Sequence, residues 1–314
     1  MAPARPFSLP FWFPFAVIAL IIAWPTADRV RVAHAADPDV QLVVADLRAD
    51  ELLLVDSGNE AVVQRVALPG GGHELLELPD GRVVVSIEQG GVLAVVDLRT
   101  AEVSELAIGG TPHGLALDGA VLLVTDRDVD QIRRFEVGDW SELEPIATGA
   151  WPHAVAQTAD GTIVVASALD DQISIGARQI EVSELPETVA VASDGTIATV
   201  GAVGGVLHLL DGDGIELLRV ALGGRPVRVV FSPDGQQIAV ALSASGEIAV
   251  VDRSGGVRRA AVPGVPDGLA FDPSGDRIYV SDVVGGGIAV LDTVDLELQS
   301  VIEAGTATGA ILVR

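Results

Sequence analysis

The chain has no cysteine, so disulfides, thiolate metal sites and cysteine nucleophiles are all excluded. It has no lysine either. All 19 basic residues are arginine, which removes Schiff-base and lysine-base mechanisms. Also missing are a G-x-S-x-G elbow, an H-E-x-x-H helix, a phosphate-binding glycine loop and a dinucleotide fingerprint. Basic charge is scarce: the formal net charge is −25, which repels phosphate backbones and anionic lipid. Nucleic acid and membrane surfaces are therefore poor partners, and cations or basic partners fit better. The same acidity also serves simply to keep a surface soluble.

Arg5 precedes the apolar run Phe11 to Trp24, and Ala33-His34-Ala35 has the small-x-small form of a signal-peptidase site. Residues 1–35 are read as a signal peptide cleaved after Ala35, and 36–314 as the mature domain. A run of 14 residues containing Pro14 is short of the roughly 20 that a spanning helix needs, although Asp28, Arg29 and Arg31 make an unusually charged approach to a cleavage site. A retained N-terminal anchor is the alternative. Either way the expected location is periplasmic or secreted.

From about residue 40 the chain repeats itself. His113–Gly119 (HGLALDG), His153–Gly161 (HAVAQTADG), Val227–Gly235 (VRVVFSPDG) and Asp267–Gly275 (DGLAFDPSG) are copies of one unit at a spacing of about 40 residues. Fainter copies begin at His73, Glu187 and Thr308, which makes seven. Each full copy is followed by a β-branched run such as Val83–Ile87 or Ile278–Asp282. Then comes a third run such as Val92–Asp97 and a more polar fourth such as Val257–Val262. Four short strands per unit make a propeller blade, so the fold expected is all-β: a seven-bladed β-propeller with four-stranded antiparallel blades.

Asp-Gly pairs at Asp80, Asp118, Asp160, Asp194 and Asp234 fall between first and second strands, where a tight hairpin needs positive φ. Asp56, Asp97, Asp211, Asp252 and Asp292 end third strands. All these carboxylates are read as turn chemistry. The chain ends close the ring. Residues 41 to about 68 supply a second, third and fourth strand with no first, and Ala310–Val313 is a first strand with nothing after it. One blade is thus shared between both termini, leaving no open sheet edge. The fourth unit, about 34 residues with a faint third strand around Ile173, leaves the shape of its blade open.

Gly264–Asp282 (GVPDGLAFDPSGDRIYVSD) resembles the repeat of the YVTN-type family, roughly G-x-x-P-x-G-L-A-x-x-P-D-G-x-x-I-Y-V-x-D, and the resemblance covers about residues 40 to 314. It implies the propeller fold and a ligand mouth on the central channel. It leaves activity open, because binding proteins, lactonases, lyases and metal chaperones share the scaffold.

The residues that open the first strands are His73, His113, His153, Glu187, Val227, Asp267 and Thr308. Three neighbouring blades therefore present histidine at one mouth. With Asp126 from the end of a second strand, these imidazoles form a candidate site for Zn²⁺, which takes histidine nitrogen and carboxylate oxygen. Glu187, Asp267, Trp151, Arg228, Asp46 and Asp282 are further candidates for lining the mouth. A structural role competes with this: repeats copy residues along with structure, and the spacing His113, Leu115, Leu117 puts His113 on the face of core leucines. Trp151 also suits a blade edge, and Arg225 with Arg228 suits either a bound anion or a salt-bridged pair. The Asp126 loop fails as an independent calcium loop, since Gln131 stands where glycine is needed and Val137 where the bidentate Glu is needed.

These residues fit first a monomeric, non-enzymatic binding protein holding a divalent cation or small ligand, zinc above others. It is similar to propeller-type zinc chaperones but without their histidine-rich segment. The alternatives are a metal-dependent hydrolase or lyase, similar to gluconolactonase or streptogramin-lyase propellers, and a platform for a protein partner.

Overall fold

The computed structural model of the protein describes residues 40–314. The expected signal peptide and its cleavage point lie outside the described residues. Seven four-stranded antiparallel sheets follow one another around a ring, as the repeat count predicts. Blade 1 is built from both ends of the chain: Thr308–Val313 is its inner strand, then Gln41–Asp46, Glu51–Asp56 and Ala61–Ala67. Blades 2 to 7 begin with Leu75–Glu77, Pro112–Asp118, Pro152–Gln157, Pro186–Val191, Pro226–Phe231 and Pro266–Phe271.

Burial follows position within the blade. Second and third strands lie between neighbouring blades on both faces, so they read as continuous apolar runs; all five residues of Val83–Ile87 are buried. Fourth strands form the outer edge, and Glu102–Ala107 has only exposed and half-buried residues. The core is correspondingly divided into seven clusters, each drawn from two adjacent blades. One of them joins Tyr279 and Ile288 of blade 7 to Leu42, Leu53 and Val55 of blade 1, which closes the circle. Each Val, Leu or Ile so buried contributes roughly 1.5–3 kcal/mol.

The turn chemistry is as expected. Gly81 and Gly161 have φ of 84° and 87° in the first hairpins of their blades. Asp80 and Asp252 accept hydrogen bonds from the N–H groups of Arg82 and Ser254, two residues on. Blade 4 is complete despite its short unit: its outer strands Gln172–Ile175 and Arg178–Glu181 pair over four residues.

Candidate functional site

The histidines owe their direction to an irregularity at the start of the inner strand. In blade 4 the ladder pairs Pro152 with Ser167 and then Ala154 with Ala166, so His153 is an extra residue; in blade 3 the register slips between Pro112 and Leu115. A bulge of this kind re-aims a side chain. The strand alternation that would place His113 with the core leucines is broken at that point. The N–H groups left without a ladder partner are taken by hydroxyls of the second strand: Gly114 donates to Thr125 Oγ1 at 2.7 Å and Glu74 to Ser86 Oγ at 3.1 Å. Gly114 has a further reason to be glycine, because a Cβ there would stand 2.7 Å from the His153 carbonyl oxygen. Its absence lets blade 4 come close enough for the His113 ring to reach that carbonyl.

The three rings then converge. Centroids of His73 and His113 are 5.6 Å apart, and those of His113 and His153 are 3.9 Å apart. His113 is only 5% exposed, and its Nδ1 lies 2.8 Å from the His153 carbonyl oxygen. A carbonyl can only accept, so Nδ1 carries the proton and Nε2 keeps its lone pair. That lone pair faces Glu88: His113 Nε2 is 3.6 Å from Oε1, and His73 Nε2 is 3.7 Å from Oε2. One ligand atom each from His73, Glu88 and His113 lies within 4.8 Å of the others.

Glu88 is itself held. Arg127 Nη2 donates to Oε1, and the guanidinium sits 4.6 Å from the centre of the Trp151 ring, which packs edge-on against His153 with centroids 5.4 Å apart. Burial drives the pKa of His113 well below its usual value, and the neighbouring His153, Arg127 and His73 push the same way. His153 falls to about 3, first through burial and then through the Arg127 charge. Both rings are therefore neutral at physiological pH.

The far side of the mouth is charged. Arg228 of blade 6 crosses the channel and donates to Glu74 of blade 2 at 2.6 Å. Burial opposes the Arg228 charge, but Glu74, Asp267 and Glu187 outweigh it and raise its pKa. Glu187 is raised mainly by burial, with Asp267 adding and Arg225, 3.8 Å away, opposing. Below lies a channel cavity of about 250 Å³ lined by Glu74, Thr188 and Arg228 among small and apolar residues of all seven blades.

Asp126, expected as a metal ligand, has other partners. It accepts from the N–H groups of Thr111 and Asp128 at 3.0 and 3.3 Å and has Arg133 at 3.8 Å. Asp282 accepts from Val265 N–H and Asp46 from Thr306 and Ala307 N–H, so all three clamp the loop that leads into the inner strand of their own blade. The carboxylate that faces the imidazoles is Glu88, one residue beyond the end of its second strand. The repeat carried a sign of this. At that position five blades have Leu47, Ala168, Ala202, Ser243 and Val283, and only Glu88 and Arg127 are charged. Likewise the second residue of the inner-strand motif is small in Gly114, Ala154, Thr188, Gly268 and Gly309, and charged only in Glu74 and Arg228. Each pair of exceptions is an ion pair.

Several solved structures are similar to this chain. A functionally unknown protein from Desulfotomaculum acetoxidans matches with a TM-score of 0.74 at 10% identity, over 87% of this chain and 98% of that one. A candidate 6-phosphogluconolactonase from Bacteroides fragilis gives 0.73 at 16% identity, over 90% and 99%. Virginiamycin B lyase from Staphylococcus aureus gives 0.65 at 12% identity, over 75% and 84%. The likeness is one of fold. No family model and no curated protein matches the chain.

One further constellation looks catalytic. Ser183 Oγ is 2.8 Å from His208 Nε2, and His208 Nδ1 is 2.5 Å from Glu216 Oε1. Yet the Ser183 amide N–H also donates to Nε2 at 3.1 Å, so the lone pair a general base would need is already engaged. Ser183 is 9% exposed and His208 2%. The group is a polar clasp that ties the connection between blades 4 and 5 to the third strand of blade 5.

Proposed function

We propose that the channel mouth binds one divalent cation, zinc, through Nε2 of His73, Nε2 of His113 and the carboxylate of Glu88. The observation that carries this reading is the His113 Nδ1–H bond to the His153 carbonyl. Metal-bound histidines are oriented in this way, the outer N–H fixed on a carbonyl and the inner lone pair free. Spacing supports it as well. Ligands about 2.05 Å from a tetrahedral zinc stand roughly 3.4 Å apart, against 3.7 Å between Glu88 Oε2 and His73 Nε2, with ligand atoms of His73, Glu88 and His113 gathered inside 4.8 Å. Arg127 holds Oε1 and leaves Oε2 for the ion. Three protein ligands leave a fourth position for water or a ligand.

Read as a signal peptide, residues 1–35 would direct this binding protein out of the cytoplasm, to a periplasm or the medium. Similar propellers include a lyase and a candidate lactonase, so turnover of a metal-bound substrate is the competing reading. Against it, His153, the nearest additional imidazole, is held at a pKa of about 3, far from the value a base needs near neutral pH.

Equilibrium dialysis against zinc followed by metal analysis tests the site. Wild-type protein is expected to retain one ion per chain, and Glu88→Gln and His73→Ala each to weaken retention by about 100-fold. Background zinc in the wild type would end the metal reading. Lactone or lyase turnover by the loaded protein would convert carrier into enzyme.

A further inference from the structure

Among the described residues six buried side-chain polar atoms lack a hydrogen-bond partner, and three of them belong to this mouth: Arg127 Nε, His153 Nδ1 and Arg228 Nε. Unpartnered buried polar atoms are rare in folded proteins, so their concentration at one place calls for an explanation. The arginine nitrogens can only donate. What they lack is an acceptor. Glu74 occupies Nη1 of Arg228, which leaves the edge formed by Nε and Nη2, the one that takes a carboxylate with two parallel bonds. Arg127 stacks on Trp151, whose ring packs against His153, and Arg228 lines the channel cavity; His153 and Glu187 feel both charges.

The acidic side has the opposite need. Glu187 has its nearest cation, Arg225, at 3.8 Å, beyond hydrogen-bond length, and Asp267 acts on both Glu187 and Arg228. Its acceptors look for a donor.

We propose that the mouth binds a small organic carboxylate carrying a hydroxyl or ammonium group, its carboxylate taken by Arg228 with Arg127 nearby and its donor group turned to Glu187 and Asp267. The metal reading concerns the same mouth, but this ligand is held by different side chains and does not require the ion. The Glu74–Arg228 ion pair then tunes the site: Glu74 partly neutralises the guanidinium from Nη1 and leaves the Nε–Nη2 edge to the ligand.

Propionate, lactate and alanine share a frame and differ in H, OH and NH₃⁺, and lactamide removes the charge. Calorimetric titration of each into the purified protein, once metal-free and once zinc-loaded, is expected to show lactate or alanine binding more tightly than propionate, and lactamide the most weakly. Arg228→Gln should loosen the preferred ligand about tenfold. Glu74→Gln, which removes the negative charge that partly neutralises the guanidinium, should tighten it by a similar factor. A merely structural ion pair predicts no gain from Glu74→Gln, so the variant informs even if Arg228→Gln fails to fold. The proposal is overturned if none of the three carboxylates binds below about 10 mM, if lactamide matches lactate, or if Glu74→Gln leaves affinity unchanged. Carboxylate binding without zinc retention would sink the metal reading alone; zinc retention without carboxylate binding would sink this one alone.

Discussion

A chain ending at Ala307 is expected to lose cooperative folding. The missing segment holds the inner strand of blade 1, Thr308–Val313, which pairs with Gln41–Asp46 through contacts such as Leu42↔Val313 and Val44↔Ile311. Thr308 and Ala310 are buried, and Ile311, Leu312 and Val313 are half-buried. Their loss removes roughly 5 kcal/mol of apolar burial and the ladder bonds, about 1 kcal/mol each. Net stabilities of folded domains are about 5–15 kcal/mol, so the deletion is of the same size as the whole. It also exposes an unpaired edge on Gln41–Asp46, which invites aggregation. Thermal unfolding followed by circular dichroism checks this. A truncated chain that melts within a few degrees of the full one would show that the ring does not depend on its shared blade.

Acid should weaken the metal-free protein well above the range in which carboxylates titrate. His113, His153 and His208 all have folded-state pKa values below the unfolded value, in each case chiefly because burial disfavours the charged ring. The unfolded chain therefore takes up protons first. Stability present above about pH 6.5 is lost as the pH falls, at up to about 1.4 kcal/mol per pH unit for each ring, and for His153 the loss continues to about pH 3. Glu187, raised above its ordinary value, acts in the opposite sense. Asp46 and Asp194, both lowered, add to the loss only below about pH 4. Urea midpoints at pH 7.5, 6 and 5 are expected to fall steadily, by several kcal/mol of stability in all. Equal midpoints at pH 7.5 and 5 would mean that the imidazoles are not held neutral.

The fold was legible because a propeller repeats. Runs read as Val83–Ile87 and Val92–Asp97 are strands with those bounds, and the first strand placed at Ala310–Val313 begins two residues earlier, at Thr308. Periodicity also located the inner strands to within two residues of their starts: Thr308 opens its strand as expected, five strands begin one residue earlier at a proline, and one begins at Leu75, after His73. What it could not give was direction. The bulge at His113 and His153 is a matter of register between two strands, and no property of either residue announces it. Contacts across the ring were hidden for the same reason: Glu74 meets Arg228 at a separation of 154 residues. Asp126 drew attention as an acid beside a histidine blade, but a strand-end carboxylate next to free N–H groups is taken up by its own loop. Glu88 and Arg127 broke the pattern of their position, and breaks in a repeat proved more telling than its copies.

X-ray absorption at the zinc edge of protein loaded with one equivalent bears most directly on the mouth as a metal centre. Two imidazole nitrogens and oxygen from Glu88, with one further light atom, are expected at about 2.0–2.1 Å. A shell of oxygen alone, without the scattering signature of imidazole, would contradict the account.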